Sequence, residues 1–190
     1  MKIKDIFNFK KSKKNESKLS KEEVINFIKN DIKNLREKAK KSVWEETDKS
    51  DFVFIMNKKL IDHSSEIEKF TESEKVFYLC NGFDNEVQSC GGFYSVYILD
   101  IGAYAYELPN YFRILGLNKI AEIIEKINQL YDKKLPIDHD EREEYIDSVY
   151  ESIAEKMDEY YDEYSKLANN IYLVLYDYAI KNKDNFKIVD

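Results

Sequence analysis

The chain is poor in residues that build tight turns. Only five of its 190 residues are glycine and two are proline, whereas β-sandwiches and β-barrels need many such turns. No segment alternates apolar and polar residues over a useful length, which argues against a half-buried β-strand. Apolar residues recur instead at steps of three and four. We therefore predict an all-α fold, a single compact multi-helix domain with about seven to eight helices.

Cysteines and long apolar runs are scarce as well. Cys80 and Cys90 are the only cysteines and lack the CxxC spacing of redox and metal sites. Both lie on an apolar stripe, and no secretory hydrophobic region precedes them, so we expect reduced thiols in a cytoplasmic protein. The apolar runs are too short for a transmembrane segment.

Signatures of catalysis are missing too. The chain has no GxSxG, HExxH or P-loop sequence, so we expect no catalytic residue, no cofactor and no metal, and we predict that it is not an enzyme. The triplet Asp138–Asp140, with His139 at its centre, is more typical of a solvated loop than of a metal site. One enzymatic alternative stays open, in which Glu74, Glu86 and Glu107 meet in a carboxylate-lined helical pocket.

Charge is distributed unevenly along the chain. The net charge is −7, but residues 1–41 carry fourteen Lys/Arg and six Asp/Glu, a net of +8, which leaves −15 for residues 42–190. We predict a basic N-terminal arm at 1–19 and one all-helical domain at 20–190. The arm is interpreted as a solubilising tail, as a contact for anionic membrane or nucleic acid, or as a segment that folds back and regulates the acidic body.

Capping residues and apolar spacing predict the individual helices. Ser20 with Glu23 and Thr71 with Glu74 have the spacing of capping boxes, and Ser50 and Asn118 are candidate caps. Between residues 140 and 180 the spacing fits either one helix or two helices broken near 160–165. The predicted helices begin at Ser20, span about Asp51–Asp62, Thr71–Cys90, Phe93–Leu99 and Tyr104–Leu115, follow Asn118, and fill about Asp140–Ile180.

A glycine pair marks the centre of the chain. Gly91 and Gly92 separate the apolar stripe that ends at Cys90 from an aromatic block that begins with Phe93. Glycine adopts positive φ without steric cost, so the pair predicts a sharp corner between two helices. No phosphate-binding sequence surrounds the pair, which favours this structural role over a ligand cradle.

A row of carboxylates is the most distinctive charge pattern. Twelve Asp/Glu lie between Asp138 and Glu163, against Arg142 and Lys156. Seven of them are spaced 4, 3, 4, 4, 3 and 4 residues apart, which places them on one helix face. We call these seven the acidic row. Its members are Asp140, Glu144, Asp147, Glu151, Glu155, Asp158 and Asp162.

Three segments resemble one known protein family. The segment TESEKVFYLCNGFDNEVQSCGGFYSVY (71–97) is similar to the helix and E-V-N-N-G-G-F signature of the bacterial DNA-mimic protein C-terminal-domain family, formerly a domain of unknown function. Segments 113–127 (RILGLNKIAEIIEKI) and 157–180 (MDEYYDEYSKLANNIYLVLYDYAI) resemble two further parts of its pattern. The resemblance covers about residues 44–186. Glu86 and Glu107 coincide with glutamates of this pattern, and we expect each to make a buried, fold-fixing hydrogen bond.

The resemblance implies an all-helical protein that binds another protein. The characterised family representative is a dimer that imitates double-stranded DNA with surface carboxylates and occupies the DNA-binding face of a transcription factor. We therefore predict a non-catalytic DNA mimic, a homodimer by the same resemblance, whose acidic body does not itself bind nucleic acid. The alternative is an immunity or adaptor protein that recognises one partner through shape and Tyr-rich patches.

Overall fold

The computed structural model describes residues 42–189, together with Asn26 and Lys29. The predicted basic arm at 1–19, the domain boundary at residue 20 and the start of the helix predicted at Ser20 lie outside the described residues. Contacts within the chain group Lys38–Asp190 into one unit.

Seven α-helices follow one another within residues 42–189, and this range contains no β-strand. The prediction of an all-α fold with about seven to eight helices is confirmed. The helices are α1 (Lys49–Ile61), α2 (Glu72–Cys90), α3 (Tyr94–Ile98), α4 (Leu108–Ile114), α5 (Asn118–Asn128), α6 (His139–Leu167) and α7 (Ile171–Lys181). Short 3-10 segments lie at Val43–Glu45, Ser64–Lys69, Asp100–Tyr104 and Lys183–Asn185.

Side-chain caps determine where α1 and α2 begin. The predicted box at α2 is confirmed: Thr71 Oγ1 accepts a hydrogen bond from the Glu74 amide at 3.2 Å, and the Glu74 carboxylate accepts one from the Thr71 amide at 2.8 Å. The predicted cap at Ser50 is wrong. The Asp48 carboxylate, two residues earlier, accepts from the amides of Ser50 and Asp51, so α1 begins at Lys49.

The region around Pro109 is more broken than predicted. Instead of one helix over Tyr104–Leu115, a 3-10 segment ends at Tyr104 and α4 begins at Leu108, with Pro109 in its first turn. A proline is tolerated there because the first amides of a helix have no intrahelical acceptor, whereas a helix running through it would lose a hydrogen bond. Asn118 is the first residue of α5 rather than its cap, since Leu117 precedes the helix.

The core is built around α2. Its inward residues are buried, and Phe83 lies at the centre of an aromatic cluster. Ring centroids of four other aromatic residues lie 5.7–6.4 Å from that of Phe83, in mostly edge-to-face arrangements that favour aromatic pairs. The cluster joins α2 to α3, α4 and α6 through Phe93, Tyr97, Phe112 and Tyr164.

Gly102 allows a close approach of two backbone segments. A Cβ at this position would lie 1.9 Å from the carbonyl oxygen of Tyr97. No side chain fits at that distance, so the 3-10 segment Asp100–Tyr104 packs against the end of α3 only because residue 102 is glycine.

Candidate functional site

Helix α6 carries the acidic row. It is 29 residues long and contains neither glycine nor proline. Asp138 caps it by accepting a hydrogen bond from the Glu141 amide at 3.1 Å, and Asp140 and Glu141 in the first turn complement the positive end of the helix dipole. The helix ends at Leu167, so residues 140–180 form two helices rather than one, and the break lies at 168–170 instead of near 160–165. One face is buried against the core through Arg142, Tyr145, Ile146, Ile153, Met157 and Tyr164.

The acidic row lies on the opposite side of α6, and all seven of its residues are exposed. Because the helix is unbroken, steps of three and four residues keep these carboxylates on one face. The row extends over roughly 33 Å, with a carboxylate every ~5–6 Å. Four more exposed carboxylates flank it on the same helix, at Glu141, Glu143, Glu159 and Glu163.

The nearby lysines pair with the flanking carboxylates rather than with the row. Lys156 Nζ lies 2.6 Å from Glu159, and Lys126 Nζ lies 3.8 Å from Glu163. Among the residues that the structure describes, no lysine or arginine lies within 4.0 Å of a row carboxylate. The one ion-pair distance to the row joins Asp140 to His139, at 3.3 Å. Within the described residues, no lysine or arginine side chain therefore offsets the charge of the row by direct pairing.

Arg142 is on α6 but does not neutralise this surface. It is 1% exposed, and its guanidinium donates to backbone carbonyls at the end of α3 and at the start of α6. Burial lowers its pKa from the usual value, while Asp100 and Asp138 act in the opposite direction. The acceptors, at 2.6–3.4 Å, are the carbonyls of Tyr97, Ile98, Leu99, Pro136, Ile137 and Asp138.

Two tyrosines flank the middle of the acidic row. The rings of Tyr94 and Tyr150 meet edge to face with centroids 4.6 Å apart. The Tyr94 hydroxyl donates to the Asp147 carboxylate. This hydrogen bond, with burial as a smaller cause, raises the pKa of Tyr94 to about 12, so the phenol remains a donor at neutral pH. The row thus contains one carboxylate held in place beside two aromatic rings.

The glycine corner, Gly91 and Gly92, joins α2 to α3, and the residue that follows it packs against α6. Gly91 has φ 69° and ends α2, and the amides of Gly91 and Gly92 both donate to the Val87 carbonyl at 3.0 and 3.2 Å. This is the geometry of a left-handed helix end. Phe93 follows and is buried, with its ring 5.5 Å from that of Tyr164 on α6. The motif therefore sets the position of the helix that carries the acidic row.

The two glycines should differ in their tolerance to substitution. We expect Gly91→Ala to lower the free energy of unfolding by about 1 kcal/mol, because an L side chain is strained at positive φ. Gly92→Ala is the matched control, since a methyl group at residue 92 would have no atom within 4 Å and the φ of this residue is not positive. Urea denaturation of both variants measures the difference. Equal effects of the two substitutions would contradict the assignment.

The glutamates and Cys90 turn out to have different roles from those predicted. Glu107 is exposed, so the expected buried hydrogen bond is wrong there. Glu86 is partly buried and accepts from the Cys90 thiol at 3.0 Å. Cys90 itself is exposed, whereas Cys80 is buried as predicted. Glu74 is the fully buried carboxylate, and besides capping α2 it accepts from the amides of Lys187 and Ile188.

The described residues do not bring the three glutamates into one pocket. Glu86 lines a cavity of about 370 Å³ that includes neither Glu74 nor Glu107. Within the range that the structure describes, no group of three or more His, Cys, Asp or Glu is placed to hold a metal ion. In the Asp138–Asp140 triplet, Asp138 serves as the cap of α6. Among these same residues no helix has the length and hydrophobicity needed to span a bilayer.

Within the described residues the protein is all-helical and one long helix carries an exposed row of carboxylates, and comparison with known proteins identifies the family. A family model described as DMP19-like protein matches residues 68–182. This match covers more than half of the chain, so the chain belongs to the DMP19-like family of DNA-mimic proteins. The matched region is shorter than the predicted 44–186. No curated protein and no solved structure matched the chain.

Proposed function

We propose that this protein is a non-catalytic DNA mimic that occupies the DNA-binding surface of a transcription factor or another DNA-binding protein through the acidic row. The observation that carries the proposal is the row itself: seven exposed carboxylates on one unbroken helix, with no lysine or arginine partner among the described residues. Family membership supports the same function.

The mechanism is competition for the same cations. A strand of DNA presents one negative charge every several ångströms, and the acidic row presents one every ~5–6 Å along a straight line. Lysines and arginines that contact phosphates would instead pair with Asp140–Asp162. Such binding depends on exposed charges, so it is screened by salt and weakens steeply as the ionic strength rises.

Neutralising part of the row tests this function. The bait is the full chain, used to capture partners from native cytosol at low salt with elution by a salt gradient. Five row residues are changed to amides, which preserve shape and remove charge: Asp140→Asn, Glu144→Gln, Asp147→Asn, Glu151→Gln and Glu155→Gln. We expect a DNA-binding protein that elutes at moderate salt, and at least about tenfold weaker capture by this variant, since charge pairs across interfaces often contribute more than 1 kcal/mol.

The matched control removes five charges from other exposed sites. All five residues are exposed carboxylates outside α6. If general negative charge is sufficient for binding, this control will lose as much affinity as the row variant, and the acidic row will not be the interface. The control substitutions are Glu45→Gln, Asp62→Asn, Glu107→Gln, Glu122→Gln and Asp184→Asn.

The aromatic pair beside the row supports the alternative of an immunity or adaptor protein. Tyr94 and Tyr150 are both partly exposed, and aromatic residues are common binding hot spots. A partner recognised mainly by such anchors would remain bound through the salt gradient and would survive neutralisation of the row. It would instead be lost with Tyr150→Ala. The same capture experiment therefore separates the two functions.

A further inference from the structure

A second surface, distinct from the acidic row, has the features of a docking groove. Two cavities of about 370 Å³ each lie side by side, one between α1 and α2 and the other between α2 and the 3-10 segment Asp100–Tyr104. Tyr78 and Ile101 line both cavities, so the two adjoin each other along α2, and together they are called the groove. Helix-lined grooves with apolar floors are a common way to bind an amphipathic helix.

Two strongly exposed apolar side chains line this groove. Ile61 is 49% exposed and lines one cavity, and Ile137 is 78% exposed and lines the other. Phe54, 48% exposed, lies seven residues before Ile61 and therefore on the same face of α1. Large apolar side chains that share one surface in this way mark an interaction site more strongly than scattered ones do.

The charges at the groove are acidic. Glu86 lines one cavity and Asp100 the other. Among the described residues that line either cavity, the only cation is Arg142, whose guanidinium is committed to backbone carbonyls. The buried Oδ1 of Asn57, in the first cavity, has no hydrogen-bond donor within the described part of the chain. The exposed surface of the groove therefore offers apolar contacts and negative charge.

These features select one occupant. We propose that the groove binds an amphipathic, positively charged helix of a protein partner, with apolar side chains on Ile61, Ile101 and Ile137 and with lysine or arginine near Glu86 and Asp100. A second copy of this chain fits less well, because it would bring the same carboxylates face to face across the interface, and like charges there oppose association. Its residues 42–190 carry a net charge of −15.

Two labelled peptides test the groove with the full chain. Both have about 18 residues, or five helical turns, and the same number of lysines. In the first, leucines recur at helical spacing on one face, and in the second glutamine replaces every leucine. We expect the leucine peptide to bind roughly fivefold or more tightly than the glutamine peptide, because only the first buries apolar surface. Fluorescence anisotropy measures both affinities.

Variants then locate this preference. In Ile61→Gln with Ile137→Gln, we expect the affinity ratio of the two peptides to fall below about twofold. The control pair is Ile114→Gln with Ile180→Gln, at positions 44% and 45% exposed that line neither cavity, and it should keep the ratio. Circular dichroism checks that all variants are folded. An unchanged ratio in the first pair, or an equal fall in both pairs, would overturn the proposal.

The test is independent of the function proposed for the acidic row. The row variant with five amides should weaken both peptides by the same factor and keep their ratio, since it removes charge but no apolar surface. A ratio lost in that variant, but kept in Ile61→Gln with Ile137→Gln, would assign the preference to the row and reject the groove. Light scattering measures the oligomeric state of the wild type and of the double variant Ile61→Gln with Ile137→Gln. If the wild type is a dimer and the double variant is a monomer with an unchanged peptide ratio, the groove is an interface between two copies of this chain, and the proposal is overturned.

Discussion

Replacing Arg142 with methionine should lower the free energy of unfolding by about 3 kcal/mol, because six backbone carbonyls at the end of α3 and the start of α6 would lose the guanidinium as a donor. Within the described part of the chain, only those of Leu99 and Asp138 would keep a bond, from the amides of Gly102 and residue 142. Three of these carbonyls, those of Tyr97, Ile98 and Leu99, are at the end of α3, where a helix leaves carbonyls without intrahelical donors. Methionine fills much of the volume of the side chain, so the effect reports the lost hydrogen bonds rather than a cavity.

Urea denaturation at pH 7 measures this effect. Arg142→Lys should recover only part of the loss, because an ammonium has three donors at one point and a guanidinium has five in a planar fork. Glu143→Gln, at the exposed neighbouring position, is the control and should change stability by less than about 0.5 kcal/mol. If Arg142→Met unfolds at the same urea concentration as the wild type, the guanidinium does not hold α3 and α6 together.

Replacing Asp84 with asparagine should stabilise the protein, and increasingly so as the pH rises. Asp84 is partly buried on α2 and accepts a hydrogen bond from the Tyr164 hydroxyl at 2.8 Å. Burial raises the pKa of Asp84 from 3.8 to about 6, although Tyr164 and Gln88 oppose the shift. The folded protein therefore binds a proton at this site more tightly than the unfolded chain does.

The sign of the pH dependence follows from this difference. The contribution of Asp84 to stability is fully present below its unfolded pKa near 3.8, and it is lost as the pH rises through about 6. Above that pH a poorly solvated charge remains, at a cost of about 3 kcal/mol at most, since each pKa unit corresponds to about 1.4 kcal/mol. Asparagine keeps an acceptor for Tyr164 and carries no charge, so the variant avoids this cost.

Unfolding free energies measured from pH 4.5 to pH 8 check the result. We expect the difference between Asp84→Asn and wild type to grow by about 2 kcal/mol over this range. Tyr164→Phe provides an opposite change, because it removes a hydrogen bond that lowers the pKa of Asp84 and should move the transition to higher pH. Parallel stability curves for wild type and Asp84→Asn would show that this carboxyl group does not titrate differently in the folded protein.

Local sequence signals predict the parts of the fold that depend on nearby residues. The box of Thr71 and Glu74 and the corner at Gly91 each need only side chains and amides within a few positions, and the structure has both. The end of α6 is harder to predict. Leu167, Ile171 and Val174 continue the apolar spacing across a turn that contains neither glycine nor proline, so periodicity alone cannot reveal the break at 168–170.

The site is predictable to the extent that it is one helix face. The spacing of the acidic row on α6 follows from the helical repeat. From the sequence alone, Arg142 is a positive charge among the carboxylates of α6. Its partners are backbone carbonyls up to 45 residues away. Every residue has a backbone carbonyl, so the sequence does not show which of them the guanidinium contacts. Glu74 shows the same difficulty: its capping role is local, whereas its bonds to the amides of Lys187 and Ile188 span more than a hundred residues.

The continuity of α6 has a consequence for how the protein responds to salt. Seven carboxylates fixed on one rigid rod repel each other in the free protein, and this self-repulsion is already present before any partner arrives. Added salt screens the repulsion among the carboxylates and so favours the folded chain. The same salt screens the attraction between the acidic row and a cationic partner, and so favours dissociation of the complex. Raising the salt concentration thus stabilises the fold of the unbound protein and lowers its affinity for the partner. The free protein is therefore most stable at the salt concentrations at which its complex is weakest.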